Sequence, residues 1–169
     1  GLSTLDGLVM STRPGAVDIG VALFAQQQLG LDLETLSRGL YHESGLLGLS
    51  GISADMRVLA ASDDPRARFA IDVFCQRAAQ EIAASAVVLG GCDAIVFTAG
   101  IGEHDARVRA QIAGLLGWMG ARIDEAANAA QGPRLHSADS AIGLWVVPTD
   151  EESVIARHTA ALVRPRGAR

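Results

Sequence analysis

The longest hydrophobic rhythm in the chain runs from Pro65 to about Leu89. Ile71, Phe74, Ala78, Ile82, Ala86 and Leu89 advance by three or four residues, so they share one face of a helix. Asp63 or Asp64 supplies its cap, Pro65 suits its first turn, and Gly90-Gly91 stops it. Alanines on both sides predict close packing against a sheet and another helix. Ala94 to Phe97 follows, four apolar residues rich in strand formers, which is how a fully buried strand of a parallel sheet reads. Gly100 and Gly102 predict a turn whose backbone takes positive φ. From Glu103 the pattern is helical again, with Val108, Ile112, Leu115 and Leu116 on one face. A second strand over Leu144 to Val147 ends at Pro148, and a last helix with Val154, Ile155 and Leu162 on its apolar side follows Thr149. Helix, two-glycine turn, strand, turn and helix make the rhythm of a wound α/β sheet.

The flanks are less regular. Leu2, Leu5, Leu8 and Val9 have helical spacing, and that helix should fail near Arg13, because Pro14 disfavours α geometry before it. Asp18 to Leu29 reads as a helix burying Val21, Leu23, Phe24 and Leu29, and Leu33 to Tyr41 as a second. His42 to Gly51 is a glycine-punctuated loop that sets Leu46 and Leu47 on the core. Ala121 to Asp124 suggests a short strand and Glu125 to Ala130 a helical turn.

Composition narrows the class. At 169 residues the chain suits one domain, and such a domain buries roughly two-thirds of its unfolded surface. Apolar content of 49% with 4% aromatic gives a core of Ala, Leu, Val and Ile. A net charge of −5 argues against a general nucleic-acid surface. Cys75 and Cys92 lack metal-ligand spacing and read as thiols of a reducing compartment. No stretch approaches the ~20 apolar residues of a membrane span. A cytoplasmic α/β protein is expected.

The chemistry centres on the glycines after Phe97. Strand, glycine turn and helix N-terminus together form a place where backbone N–H groups can point at an anion. A dinucleotide fingerprint needs a third glycine where Asp105 stands. All 14 basic residues are arginine, so no P-loop or Schiff-base lysine can come from this chain. A mononucleotide site remains, beside the plainer reading of a packing turn. Asp55 and Arg57 either bracket a ribose hydroxyl and an adenine face or form a surface pair. Arg13 lies on a loop from which it either projects into a cleft or is solvated. Thr149 with Glu152 has the form of a capping box, while the acids Asp150, Glu151 and Glu152 also suit magnesium beside phosphate oxygens.

Together the pieces resemble the C-terminal part of the acetate kinase family. The matching segments are Gly7-Leu-Val-Met-Ser-Thr-Arg-Pro-Gly15, Glu43-Ser-Gly-Leu-Leu-Gly-Leu-Ser50, Ser53-Ala-Asp-Met-Arg57, Val96-Phe-Thr-Ala-Gly-Ile-Gly-Glu103 and Val147-Pro-Thr-Asp-Glu-Glu152. They stand in the family's order and spacing and cover residues 1 to about 162. The pattern departs from the family at Thr4, at Gly15-Ala-Val-Asp-Ile19 and at His104.

The resemblance implies the α/β fold of the actin-like (ribonuclease H-like) ATPases, a two-domain kinase fold with its sheet flanked by helices. Residues 1–150 would be the nucleotide-side C-terminal domain, incomplete at its N-terminus, and residues 151–169 a C-terminal helix and tail. The implied reaction moves the γ-phosphoryl group of ATP to a short-chain carboxylate such as acetate or propionate. Arg13 would hold the carboxylate and the transferring phosphoryl group. Asp55, Met56 and Arg57 would line the adenosine pocket, Gly100, Ile101, Gly102, Glu103 and His104 would pass beside the nucleotide, and Glu151 would help place Mg2+. The family's phosphate loop and catalytic aspartate have no counterpart here, so the implied partners include the missing N-terminal domain of the same protein and a second copy in a homodimer. A non-catalytic nucleotide-binding or dimerisation module is the other expectation.

Overall fold

In the computed structural model, which describes residues 2–163, nine α-helices and two β-strands surround a core made mostly of small aliphatic side chains. The helices are α1 (Ile19–Gln27), α2 (Leu33–His42), α3 (Gly45–Ser50), α4 (Met56–Ala60), α5 (Pro65–Leu89), α6 (Ala99–His104), α7 (Ala106–Leu115), α8 (Glu125–Ala129) and α9 (Glu151–Val163). The strands are β1 (Ala94–Phe97) and β2 (Gly143–Val146).

The central helix α5 has the expected bounds. Asp64 accepts from the Arg66 amide at its start, Pro65 fills the first turn, and Gly90 closes it in the left-handed conformation. Its fully buried residues are small, among them Ala67, Ala70, Ala78 and Ala79, so neighbouring elements approach its backbone closely. Cys75 lies on the same face with no exposure.

β1 and β2 pair in parallel, with Ala94 opposite Gly143 and Phe97 opposite Val146. β1 is half-buried, in contrast to the expectation of full burial. Ile95 and Phe97 point into the core, while Val96 is 53% exposed. The sheet holds only two strands among the described residues, so one face and one edge of β1 stay open. That edge borders a groove lined by Phe74, Ile82 and Leu89 of α5.

Other differences arise from contacts, some tertiary and some local, that the hydrophobic pattern does not announce. Residues 2–9 form turns and bends instead of a helix. Gly7 has φ +102°, and its carbonyl accepts from the Ala16 amide, which closes the Gly7–Gly15 signature into a loop. Residues 45–50, expected as loop, form α3, because Met10 and Ser11 carbonyls accept from the Leu46 and Leu47 amides at its start. Residues 103–116 are two helices: Asp105 ends α6 and caps α7 through the Arg107 and Val108 amides. In α7 Val108 and Ile112 are buried as expected, whereas Leu115 is exposed. Ala121 to Asp124 contributes only an isolated bridge, Ile123 to His136. In α1 the expected buried face is outside, with Leu23, Phe24 and the following Leu29 at least half exposed. Ile155 and Leu162 of α9 are exposed too. The tail from Arg164 lies outside the described residues.

Candidate functional site

Parallel pairing puts the carboxyl ends of both strands on one side, where open α/β sheets hold their ligands. The Val147 amide donates to the Phe97 carbonyl at 3.0 Å. The Thr98 hydroxyl donates to the Val147 carbonyl at 2.8 Å. Ala99 then reverses the chain at φ +57°, a left-handed conformation that costs a non-glycine residue roughly 1–2 kcal/mol. The strained residue is therefore Ala99, not Gly100 or Gly102, which lie within helical α6 instead of forming a positive-φ turn. Gly102 has a packing reason: a Cβ there would come within 3.3 Å of the Phe97 carbonyl carbon.

A cleft of about 710 Å³ opens between α4 and the α6–α7 junction. One wall is Asp55, Met56 and Arg57; the other is Gly100, Ile101, His104, Asp105, Ala106 and Arg107, with Ser11 at the edge. Asp55 caps α4 by accepting from the Arg57 amide at 2.8 Å. Its carboxylate also takes the Arg57 guanidinium, Nη2 to Oδ2 at 2.6 Å. Those hydrogen bonds hold the Asp55 carboxyl down at about 2 and raise the Arg57 guanidinium. Met56 turns inward and is buried in the core beneath. Arg107 ties the walls together by donating to the Ala60 carbonyl at 2.9 Å.

Two expected nucleotide residues stand behind this surface. Gly102 packs on β1, and Glu103 accepts from the Thr149 amide at 3.0 Å and its hydroxyl at 3.1 Å. The Thr149 bonds lower the Glu103 carboxyl below its ordinary value. Asp150, not Thr149, caps α9, accepting from the Ser153 amide at 3.0 Å. The Thr149–Glu152 capping box is thus replaced by Asp150 and by the link to Glu103. Glu151 opens α9 and is exposed. Arg13 does not line the cleft: it is half-buried, with its guanidinium 5.9 Å above the centre of the Tyr41 ring.

Among the described residues no group of three or more His, Cys, Asp or Glu could hold a metal ion. A protein cage is therefore not built here. Glu151, one exposed carboxylate, fits the lesser demand of magnesium, which takes one or two carboxylates beside phosphate oxygens and water.

Sequence reasoning missed Ser11, Asp105, Ala106 and Arg107 in the cleft, and it missed Arg109 beneath it. Arg109 has no exposure, yet its guanidinium donates to Asn128 Oδ1 at 2.8 Å, Asn128 O at 3.0 Å, Gly102 O at 3.0 Å and Glu103 O at 2.8 Å. Asn128, also buried, donates from Nδ2 to the Ala106 carbonyl at 2.7 Å. A signal was present: Arg109 is in helical phase with the buried Ile112, Ala113 and Leu116.

Helices flank a parallel strand pair with the cleft at its carboxyl ends, an open α/β arrangement that the solved kinases it matches share, as in the C-terminal portion of the actin-like kinase fold. The chain itself is a member of the acetokinase family, whose profile matches residues 1–157. It is 45% identical to an acetate kinase of Nitrobacter hamburgensis over 99% of its length, which is 42% of that protein. Its fold matches a propionate kinase from Francisella tularensis with a TM-score of 0.87 at 37% identity, over 93% of this chain and 41% of that one. It matches the Porphyromonas gingivalis acetate kinase with the same score, 0.87, at 33% identity, over 97% of this chain and 43% of that one. The chain therefore spans less than half the length of these relatives.

Proposed function

We propose that this chain supplies the nucleotide-side wall of a kinase that phosphorylates a short-chain carboxylate with ATP. The observation that carries the reading is the shared cleft. Asp55–Arg57 and Gly100, Ile101 and His104, far apart in sequence, line one cavity large enough for an adenosine. The exposed Arg57 guanidinium offers a planar cation for an adenine face, and the Asp55 carboxylate an acceptor for ribose hydroxyls. Arg13 would donate to the carboxylate substrate and to the phosphoryl oxygens in transit, where charge and alignment matter more than covalent help. Glu151 would hold Mg2+, which when bound neutralises phosphate charge.

The rest of such a kinase, which this chain does not span, would hold the β- and γ-phosphates and orient the carboxylate. Holding reactants in line contributes on the order of 7–11 kcal/mol, and half a cleft cannot supply it. Calorimetry on the 169-residue chain should therefore give millimolar or weaker binding, about −4 kcal/mol, with AMP, ADP and ATP alike. Arg57→Ala should remove that binding, and a hydroxamate assay with acetate or propionate should find no acyl phosphate. A strong preference for ATP over AMP, or binding indifferent to Arg57→Ala, overturns the reading.

A further inference from the structure

α6 is six residues long, and a helix that short does not hold itself in water. It is bounded by strained Ala99 and by Asp105 in an extended conformation, so its neighbours must fix its place. Its last carbonyls have no partners further along the helix. Ile101 O receives the Asp105 amide, and the next two, Gly102 O and Glu103 O, both receive Nη1 of Arg109. The same guanidinium grips Asn128 at the end of α8 with Nε and Nη2, so one planar group spans two elements. A cation at a helix C-terminus also opposes the helix dipole favourably.

Packing alone does not explain an arginine here. Burying a guanidinium carries a desolvation cost, and an apolar side chain would fill the space without it. Burial pulls the Arg109 guanidinium down from its ordinary value, with Asp105 opposing. What a methionine cannot do is satisfy four oxygens at once, two of them on α6.

We propose that Arg109, with Asn128, is a positioning residue: it clamps the carboxyl end of α6 and so sets the cleft wall formed by Gly100, Ile101 and His104. The nucleotide consequence rests on the reading that this cleft takes an adenine nucleotide; the clamp itself does not. Arg109 does not line the cleft, so it acts through the backbone of α6 and, by way of Asn128, through the Ala106 carbonyl.

Amide hydrogen exchange and AMP calorimetry on Arg109→Lys and Asn128→Ala test the clamp. Lysine keeps the charge and loses the planar fork; Asn128→Ala removes the Oδ1 acceptor, together with the Nδ2 donor to the Ala106 carbonyl, and keeps the arginine. In either folded variant, exchange at Glu103, His104 and Asp105 should speed up about tenfold or more while the middle of α5 stays protected. AMP affinity should fall by a similar factor. Exchange at α6 equal to wild type, or accelerated equally in α5, overturns the proposal. If wild type itself binds no AMP, the nucleotide reading fails, and the exchange pattern still decides the clamp. Should Arg109→Lys not fold, Asn128→Ala decides it alone.

Discussion

The floor of the cleft and its rim are built on different terms. The floor, meaning the core behind the cleft, holds Met56 and Leu59 of α4 together with Arg109 and Asn128, all buried, and every polar group named there has a partner within the chain. The rim holds Arg57 and His104, both exposed, beside Asp55. Among the described residues Arg57 pairs with the cap of its own helix, Asp55. Contacts inside the chain settle the floor, so a change there should register as stability. Rim side chains gain most from something outside the chain, so a change there should register as binding or turnover.

The largest expected effect is on the floor. Leu59 is 1% exposed, so Leu59→Ala should lower the unfolding free energy by about 2–5 kcal/mol, read from urea denaturation. A loss below 1 kcal/mol would mean that the floor is looser than its burial indicates. Next comes Arg13, which belongs to neither region. In a whole kinase that carries this chain, Arg13→Ala should cut kcat/KM about a hundredfold, near 2.7 kcal/mol, the range for a lost charge-stabilising donor. Its fold should be unaffected, and normal turnover by the folded variant removes Arg13 from the chemistry. The smallest effect is on the rim. The Asp55 carboxyl sits at about 2 against an ordinary 3.8, so its contribution to stability is complete above about pH 4 and lost as pH falls through 2. Asp55→Asn should remove that part of the acid dependence and cost only a little stability near neutrality, because the pair is exposed and asparagine can still cap α4, as thermal melts across pH would show. A large loss at pH 7 would move Asp55 from rim to floor.

How much was legible in the sequence follows the same division. α5 was readable to the residue because Asp64, Pro65 and Gly90 are local signals. The parallel strand pair was readable from two short apolar runs around a helical pattern. α1 was readable as a helix but not as an exposed one, since periodicity reports a face and says nothing of what covers it. α3 was not readable, because its first amides are satisfied by carbonyls of Met10 and Ser11, distant in sequence. Of the residues that line the cleft, the resemblance supplied Asp55, Met56, Arg57, Gly100, Ile101 and His104, but its Gly102 and Glu103 stand behind the surface. The link that ties Glu103 to Thr149 is tertiary, and no spacing rule contains it, whereas the Asp150 cap on Ser153 is local.

Cys75, sealed within α5, gives the molecule an internal clock. Burial pushes its thiol to about 12, and only the thiolate attacks an alkylating reagent. The folded chain therefore protects Cys75 twice, by access and by protonation, and the thiol reacts only in molecules that have opened around α5. Cys92, half-buried beside the groove, is the open counterpart in the same chain. Timed alkylation thus separates a fast event from a slow one, and the slow one reads the lifetime of the fold without any added label.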